Sequence, residues 1–281
     1  MTTGTDKAVE HHIRVGDLNL HYLESGSTSN PPVIMVHGLG GNAHAFDALA
    51  PHFVARYHVF SVDVRGRGES DWAKDGDYSN EAYVGDLEGL RAALGLERFS
   101  LVGTSMGGRI SLAYAGTYPD RVERAVINDI GPEVDPRGGE RIRLSTRDAA
   151  TFFQTMDDVL AWHREQRPAF SQLSDEQQRL TAGYAVKPVA SGGFTWRMDP
   201  VVRQNPRRPD PEASWAQAMQ ITAPMLLVRG ADTDLLSEEV AKRMVRELHD
   251  CRMVEVPGVG HAPTLAEPEA LNAIKQMFSL D

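Results

Sequence analysis

The stretch Phe99–Gly108, FSLVGTSMGG, decides how the rest of the chain is read. Phe99, Ser100, Leu101 and Val102 are apolar or tolerate extended backbone. Gly103-Thr104-Ser105-Met106-Gly107-Gly108 follows, and Ile110 to Tyr114 resumes with helical spacing. A strand, a tight turn and a helix are expected in that order, with the serine of a Gly-x-Ser-x-Gly pattern on the turn. At such a junction the serine is held in an unfavourable backbone conformation that lifts its hydroxyl above the sheet. Side chains two residues to either side would collide with the neighbouring strand and helix, which is why glycine stands there. The same residues also describe a Gly/Ser-rich turn that opens a helix and holds a phosphate on its amides. For the catalytic reading the rest of the chain must supply a histidine, an acid and a second oxyanion donor.

A chain of 281 residues with 41% hydrophobic and 24% charged residues suits one large α/β domain, or a core with an insertion, and is ample for a buried core. The net charge of -10 argues against nucleic acid and anionic membrane surfaces as partners, since both need a basic footprint. The local arginine clusters (Arg137, Arg141, Arg143, Arg147; Arg203, Arg207, Arg208) read as solvated faces. The single cysteine, Cys251, cannot form an internal disulfide, which fits a reducing compartment. It opens the alternating stretch Cys251 to Val256 and reads as a half-buried strand residue rather than a reactive thiol. The start, MTTGTDKAVEHH, lacks the apolar segment of a signal peptide, and no later stretch approaches the eighteen or so apolar residues of a membrane span. A cytoplasmic protein with about eight disordered leading residues is the expectation. No zinc-type spacing occurs among the ten histidines, and the adjacent His11 and His12 would point to opposite faces of a strand.

Taken in order, His12 to Val15 and Leu18 to Leu23 alternate around Gly16-Asp17 and read as a hairpin. Val33 to Val36 is a continuous apolar run, as in a parallel strand buried on both faces, and ends in His37-Gly38-Leu39-Gly40-Gly41. Phe46 to Phe53 reads as a short helix and Tyr57 to Val64 as a strand. Asn80 to Leu94 has the three-four spacing of an amphipathic helix. Met106 to Thr117 is a helix stopped before Pro119, and Val122 to Ile127 a further strand. From Gly131 to about Ala213 the alternation lapses. Helical stretches near Asp148 to Glu165 and Asp175 to Tyr184, the second with a capping box at Ser174 and Gln177, suggest an all-helical insertion. Phe152, Phe153, Trp162, Trp196 and Trp215 would supply its small core and underside. Alternation then returns with Met225 to Val228, Glu238 to Leu248, Arg252 to Val256 and Pro268 to Phe278. The division is a core over residues 1–131 and 214–281 with a helical cap over 132–213, and the class is a three-layer α/β fold.

In an open parallel sheet ligands bind beyond the carboxyl ends of the strands. His261 lies in such a loop, PGVGHAP (Pro257–Pro263), after the final strand, and a serine nucleophile needs a base. The acid that orients the imidazole is sought after the strand Met225 to Val228, in RGADTDLLS (Arg229–Ser237), which offers Asp232 and Asp234. Ser, Asp, His is the chain order expected on this fold. The glycines after Val36 let backbone approach a ligand where a second oxyanion amide is needed, although alone they also read as a flexible loop.

With those segments in place the chain resembles the α/β-hydrolase superfamily, and within it the cofactor-free esterase, lactonase and C–C hydrolase group with a helical cap, from His12 to Ser279. The segments that carry the resemblance are HGLGG (His37–Gly41), DVRGRGES (Asp63–Ser70), GTSMGG (Gly103–Gly108), INDIGP (Ile127–Pro132), RGADTDLLS and PGVGHAP. It implies a mostly parallel eight-stranded sheet, Ser105 as nucleophile, His261 as base, the backbone N–H groups of Leu39 and Met106 as oxyanion hole, and no metal or organic cofactor. Many relatives carry the acid in G-x-x-D, which falls on Thr233 here. A subgroup reading G-x-x-S-D-L-L-S places it on Asp234, the expected acid, with Asp232 and Asp129 as alternatives. Asp63 and Arg65 resemble loop-bracing residues. The implied activity is that of a carboxylesterase acting on a small-molecule ester, as a monomer or small homo-oligomer. The same framework in relatives cleaves C–C bonds of vinylogous diketones, opens enol-lactones or makes peracids, and a non-catalytic ligand sensor can keep the fold. The serine argues against dehalogenase and epoxide-hydrolase relatives, which carry aspartate there.

Overall fold

The leading hairpin folds as its alternation requires: β1 (Thr5–Val15) and β2 (Leu18–Gly26) pair antiparallel, with Val15 opposite Leu18 and Gly16 in the left-handed region at φ +56°. The computed structural model describes residues 5–147, 149–166, 170–171, 173–204 and 210–280. Of the leading residues expected to be disordered, Met1 to Gly4 lie outside this set. Thr5 to Ala8 belong to β1, drawn in by pairing with β2.

The chain continues through β3 (Pro32–Val36), β4 (His58–Val62), α1 (Asn80–Ala93), β5 (Phe99–Thr104), α2 (Met106–Thr117) and β6 (Val122–Asn128). Instead of one helix over Phe46 to Phe53 there are two 3-10 turns, Ala43–Phe46 and Ala50–His52, because Pro51 lacks the N–H that a continuous helix needs. After β6 come α3 (Pro136–Arg147), α4 (Met156–Gln166), α5 (Asp175–Ala185), β7 (Val186–Pro188), β8 (Phe194–Trp196), α6 (Pro200–Gln204) and α7 (Pro211–Ala218). β9 (Met225–Gly230), α8 (Glu238–Glu247), β10 (Cys251–Val256) and α9 (Pro268–Phe278) complete the fold.

Eight strands form one sheet in the order β1-β2-β4-β3-β5-β6-β9-β10. The pairs β1–β2 and β2–β4 are antiparallel and the remaining five are parallel. Alternate residues of each parallel strand face opposite layers. Ile34, Val36, Leu101, Ile127 and Leu227 pack under α1, α2, α7 and α8 with Leu87, Ile110, Trp215 and Met244. Val33, Met35, Val102, Val126 and Val228 pack on the other face with Phe46, Phe53, Ile274 and Phe278 of the 3-10 turns and α9. The strands are apolar on both sides because both sides are covered, at roughly 1.5–3 kcal/mol for each large side chain so buried.

The insertion between β6 and β9 is not all helical. β7 and β8 pair antiparallel across Gly192 and Gly193, whose φ values of +85° and +84° make the turn. The short β-branched and aromatic runs at its strands carry the pairing. A separate apolar cluster of Phe153, Val159, Leu160, Phe170, Ala182, Val186 and Trp196 holds the insertion, with Trp162 packed against it. Phe152 is exposed instead, and Trp215 belongs to the main core. The helix expected over Asp148 to Glu165 starts at Met156, Asp148 lying outside the described residues, and α3 precedes it. Arg137, Arg141 and Arg143 pair with Asp135, Asp234 and Glu140. Arg203 stacks over Trp196, while Arg207 and Arg208 lie outside the described residues. No helix among the described residues is long and apolar enough to cross a membrane.

Candidate active site

The turn between β5 and α2 holds Ser105 at φ +54°, ψ -114°, a conformation that costs on the order of 1–3 kcal/mol in a residue with a Cβ. The flanking glycines allow it. A Cβ on Gly107 would stand 1.9 Å from the Val36 carbonyl oxygen, and one on Gly103 would stand 2.5 Å from the Gly107 carbonyl oxygen. The Ser105 N–H donates to the Asn128 carbonyl (2.8 Å), which ties the turn to the end of β6.

Because β3, β5, β6, β9 and β10 point the same way, the residues just past their ends meet along one edge. Ser105 Oγ lies 2.7 Å from His261 Nε2, and His261 Nδ1 lies 2.8 Å from Asp129 Oδ2. A carboxylate only accepts, so Nδ1 carries the proton and Nε2 is left to accept from the serine hydroxyl. Asp129 is fully buried, yet its oxygens are filled: Oδ1 accepts from the Gly230 N–H (2.9 Å), and Oδ2 from the Thr233 hydroxyl (2.7 Å) as well as from the imidazole. Its φ of +57° turns the side chain across the sheet edge, and its own N–H donates to the Val228 carbonyl.

The acid expected on Asp234 is therefore corrected. Asp234 forms a bidentate pair with Arg141 of α3 at 2.5 and 2.7 Å, and that guanidinium holds its carboxyl below the usual carboxylate range. Asp232 makes no hydrogen bond to the imidazole either; its backbone N–H donates to Val259. The carboxylate on His261 is the third alternative, Asp129, one residue beyond β6, and Thr233 supplies a hydroxyl where G-x-x-D relatives carry an acid.

The loop after β3 lies against the serine: a Cβ on Gly38 would meet the Ser105 Cβ at 3.5 Å. That places Leu39 beside the first turn of α2, where Met106 contributes one of the N–H groups a helix start leaves without intrahelical partners. His37 shapes the loop, donating from Nδ1 to the Gly38 carbonyl (2.7 Å) and accepting the Val64 N–H at Nε2 (3.2 Å). Complete burial pushes its pKa down to about 4, which outweighs the nearby Asp63 charge and keeps the ring neutral. Asp63 and Arg65 brace the neighbouring loops. Burial works against the Asp63 charge, but the His21 ring and the N–H groups of Glu69 and Ala43 lower its pKa nonetheless. Arg65 closes on Asp86.

Three contributors escaped the sequence reading. Asn128 donates to the Pro263 carbonyl (2.7 Å) and so anchors the loop that carries His261. Arg67 donates to the Leu39 carbonyl and to Met106 Sδ, joining the two oxyanion candidates. His44 stacks on Tyr184 of α5 with ring centroids 3.5 Å apart, clasping the insertion to the loop after β3. Among the described residues no group of three or more His, Cys, Asp or Glu side chains could hold a metal ion.

Comparison with known proteins gives a consistent picture. A family model described as the alpha/beta hydrolase fold matches residues 31–268. The chain is 35% identical over 274 residues to a 3-hydroxybutyrate-oligomer hydrolase of Cupriavidus necator, covering 92% of each. It is 27% identical to a 2-(acetamidomethylene)succinate hydrolase of Mesorhizobium japonicum, over 94% of this chain and 93% of that one. A solved alpha/beta hydrolase from Novosphingobium aromaticivorans matches with a TM-score of 0.85 at 32% identity, over 98% of this chain and 99% of the other.

Proposed function

The chain is a hydrolase of the α/β-hydrolase family, and on that premise we propose that it is a serine carboxylesterase working through an acyl-enzyme on Ser105. The observation that carries this reading is the unbroken relay from Ser105 Oγ through His261 to the buried Asp129, at 2.7 and 2.8 Å. As Oγ attacks the ester carbonyl, its proton passes to His261 Nε2, and the imidazolium that forms is stabilised by the Asp129 carboxylate. The N–H groups of Leu39 and Met106 hold the oxyanion of the tetrahedral intermediate. Its collapse breaks the bond to the alkoxy group, which leaves with the His261 proton. Water deprotonated by His261 then attacks the acyl carbonyl, and the carboxylic acid departs with Ser105 restored.

The relative from Cupriavidus necator supports an ester rather than a carbon–carbon bond as the target, since oligomers of a hydroxy acid are joined through ester linkages. The test is a panel of p-nitrophenyl esters from acetate to palmitate, run beside an enol-lactone and a ring-fission diketone. Wild-type protein turns over the esters and Ser105→Ala loses about four or more orders of magnitude. Near wild-type turnover by Ser105→Ala, or turnover of the diketone alone, overturns the reading.

A further inference from the structure

The helix that follows the nucleophile carries an arginine whose Nε has no hydrogen-bond partner among the described residues. Arg109 stands four residues, or one helical turn, beyond Ser105, and its N–H donates to the Ser105 carbonyl at 2.9 Å. Residues at that spacing share a helix face, and long side chains lean toward the helix N-terminus, which here is Ser105. Its Nε is buried without a hydrogen-bond partner, and no carboxylate pairs with it among the described residues. The side chain as a whole is partly exposed, which leaves a route for an incoming group.

Arg67, 1% exposed, is held near the oxyanion loop, and among the described residues its donors meet neutral acceptors: the carbonyls of Leu39 and Arg65, the Tyr83 hydroxyl and Met106 Sδ. Arg67 is tied to the oxyanion loop through the Leu39 carbonyl and Arg109 stands one turn past the nucleophile, with no carboxylate paired to either among the described residues. Burial and the charge of Arg67 both disfavour the Arg109 cation, only partly offset by Tyr83. By contrast Arg65 closes on Asp86, and Arg229 on Glu255. A buried cation without a counter-charge is costly, and an arriving carboxylate would relieve it with charge-assisted hydrogen bonds.

We propose that Arg109, backed by Arg67, is a carboxylate-recognition subsite, so that the substrates are esters bearing a free carboxylate a few bonds from the scissile carbonyl. This rests on the serine-esterase reading and narrows its substrate class. Two matched pairs test it: monomethyl glutarate against methyl valerate, with the carboxylate on the acyl part, and 3-acetoxypropionate against propyl acetate, with it on the alcohol part. Wild-type protein favours the charged member of one pair by roughly tenfold or more in kcat/KM, mostly through KM. Arg109→Gln brings that ratio close to one and Arg109→Lys restores part of it. Neutral-ester turnover without a preference for either charged ester overturns this inference alone, as does an unchanged ratio in Arg109→Gln, whereas no turnover of any ester overturns the esterase reading with it. Should Arg109→Gln fail to fold, the wild-type ratios and Arg109→Lys decide the matter.

Discussion

Replacing each of two aspartates by asparagine separates the acid that the relay requires from the acid that the motif suggested. In Asp129→Asn the new amide keeps the volume but turns an N–H2 toward His261 Nδ1 or withdraws an acceptor. The imidazole then loses the tautomer that leaves Nε2 free to accept from Ser105, 2.7 Å away. Loss of this carboxylate in a Ser-His-Asp relay lowers kcat by about 10⁴, which is about 5.5 kcal/mol of transition-state stabilisation at 1.36 kcal/mol per tenfold. In Asp234→Asn the broken contact is the pair with Arg141, whose side chains are 35% and 50% exposed. Solvent screening limits such a pair to about 1 kcal/mol of stability at most, and kcat/KM should stay within about threefold of wild type. Both variants are assayed on p-nitrophenyl butyrate at neutral pH, with circular dichroism and melting to confirm folding. A folded Asp129→Asn that keeps a tenth or more of wild-type kcat, or an Asp234→Asn that loses about three orders of magnitude, refutes the assignment.

Other consequences follow from the surroundings of the site. The buried His37 ring, its pKa pushed down to about 4 from 6.5, stays neutral in the folded protein while the unfolded chain takes up a proton as pH falls through about 6.5. Stability is therefore lost as pH drops from about 6.5 to about 4, by up to about 3 kcal/mol from this group. His37→Gln, which offers one donor and one acceptor, flattens that part of the curve; equal pH slopes of the urea midpoint in the two proteins contradict the assignment. Gly107→Ala, with its Cβ 1.9 Å from the Val36 carbonyl oxygen, destabilises by about 3 kcal/mol or more, whereas Gly85→Ala, in open space on the exposed face of α1, stabilises by about 0.5–1 kcal/mol. Thermal melting of the pair checks both, and a Gly107→Ala melting like wild type removes the steric argument for the turn.

The sheet was legible because its strands announce themselves chemically: Val33 to Val36 and Leu101-Val102 are apolar without alternation, as only a strand covered on both faces can be. The turn at Ser105 was legible because steric exclusion at Gly103 and Gly107 writes itself directly into sequence. The acid was not. Asp129 and Asp234 follow β6 and β9, which both lie between the serine strand β5 and the histidine strand β10, so strand order does not separate them. Asp129 stands one residue past its strand and faces the imidazole, whereas Asp234 stands four past its own and closes on Arg141. The partner that occupies Asp234, Arg141, is 93 residues away in the chain and shows no local sign of the pairing. Two signals were available in retrospect: Thr233 fills the acid position of G-x-x-D with a group that can only support a carboxylate supplied elsewhere, and Asp129 sits flush against the apolar strand with Ile130 after it. The β7–β8 hairpin was obscured for a different reason. Strands of three residues are too short for alternation to register, and Gly192-Gly193 reads as a loop until its flanks are seen to pair.

The central claim is that His261 makes the Ser105 hydroxyl a nucleophile, and covalent trapping tests it most directly. Treated with an alkyl fluorophosphonate and followed by intact mass and peptide mapping, wild-type protein should gain one adduct, on Ser105. Ser105→Ala should gain none, and His261→Ala should label more slowly by about a thousandfold. An adduct on another residue, or labelling of Ser105 at an undiminished rate without His261, contradicts the account.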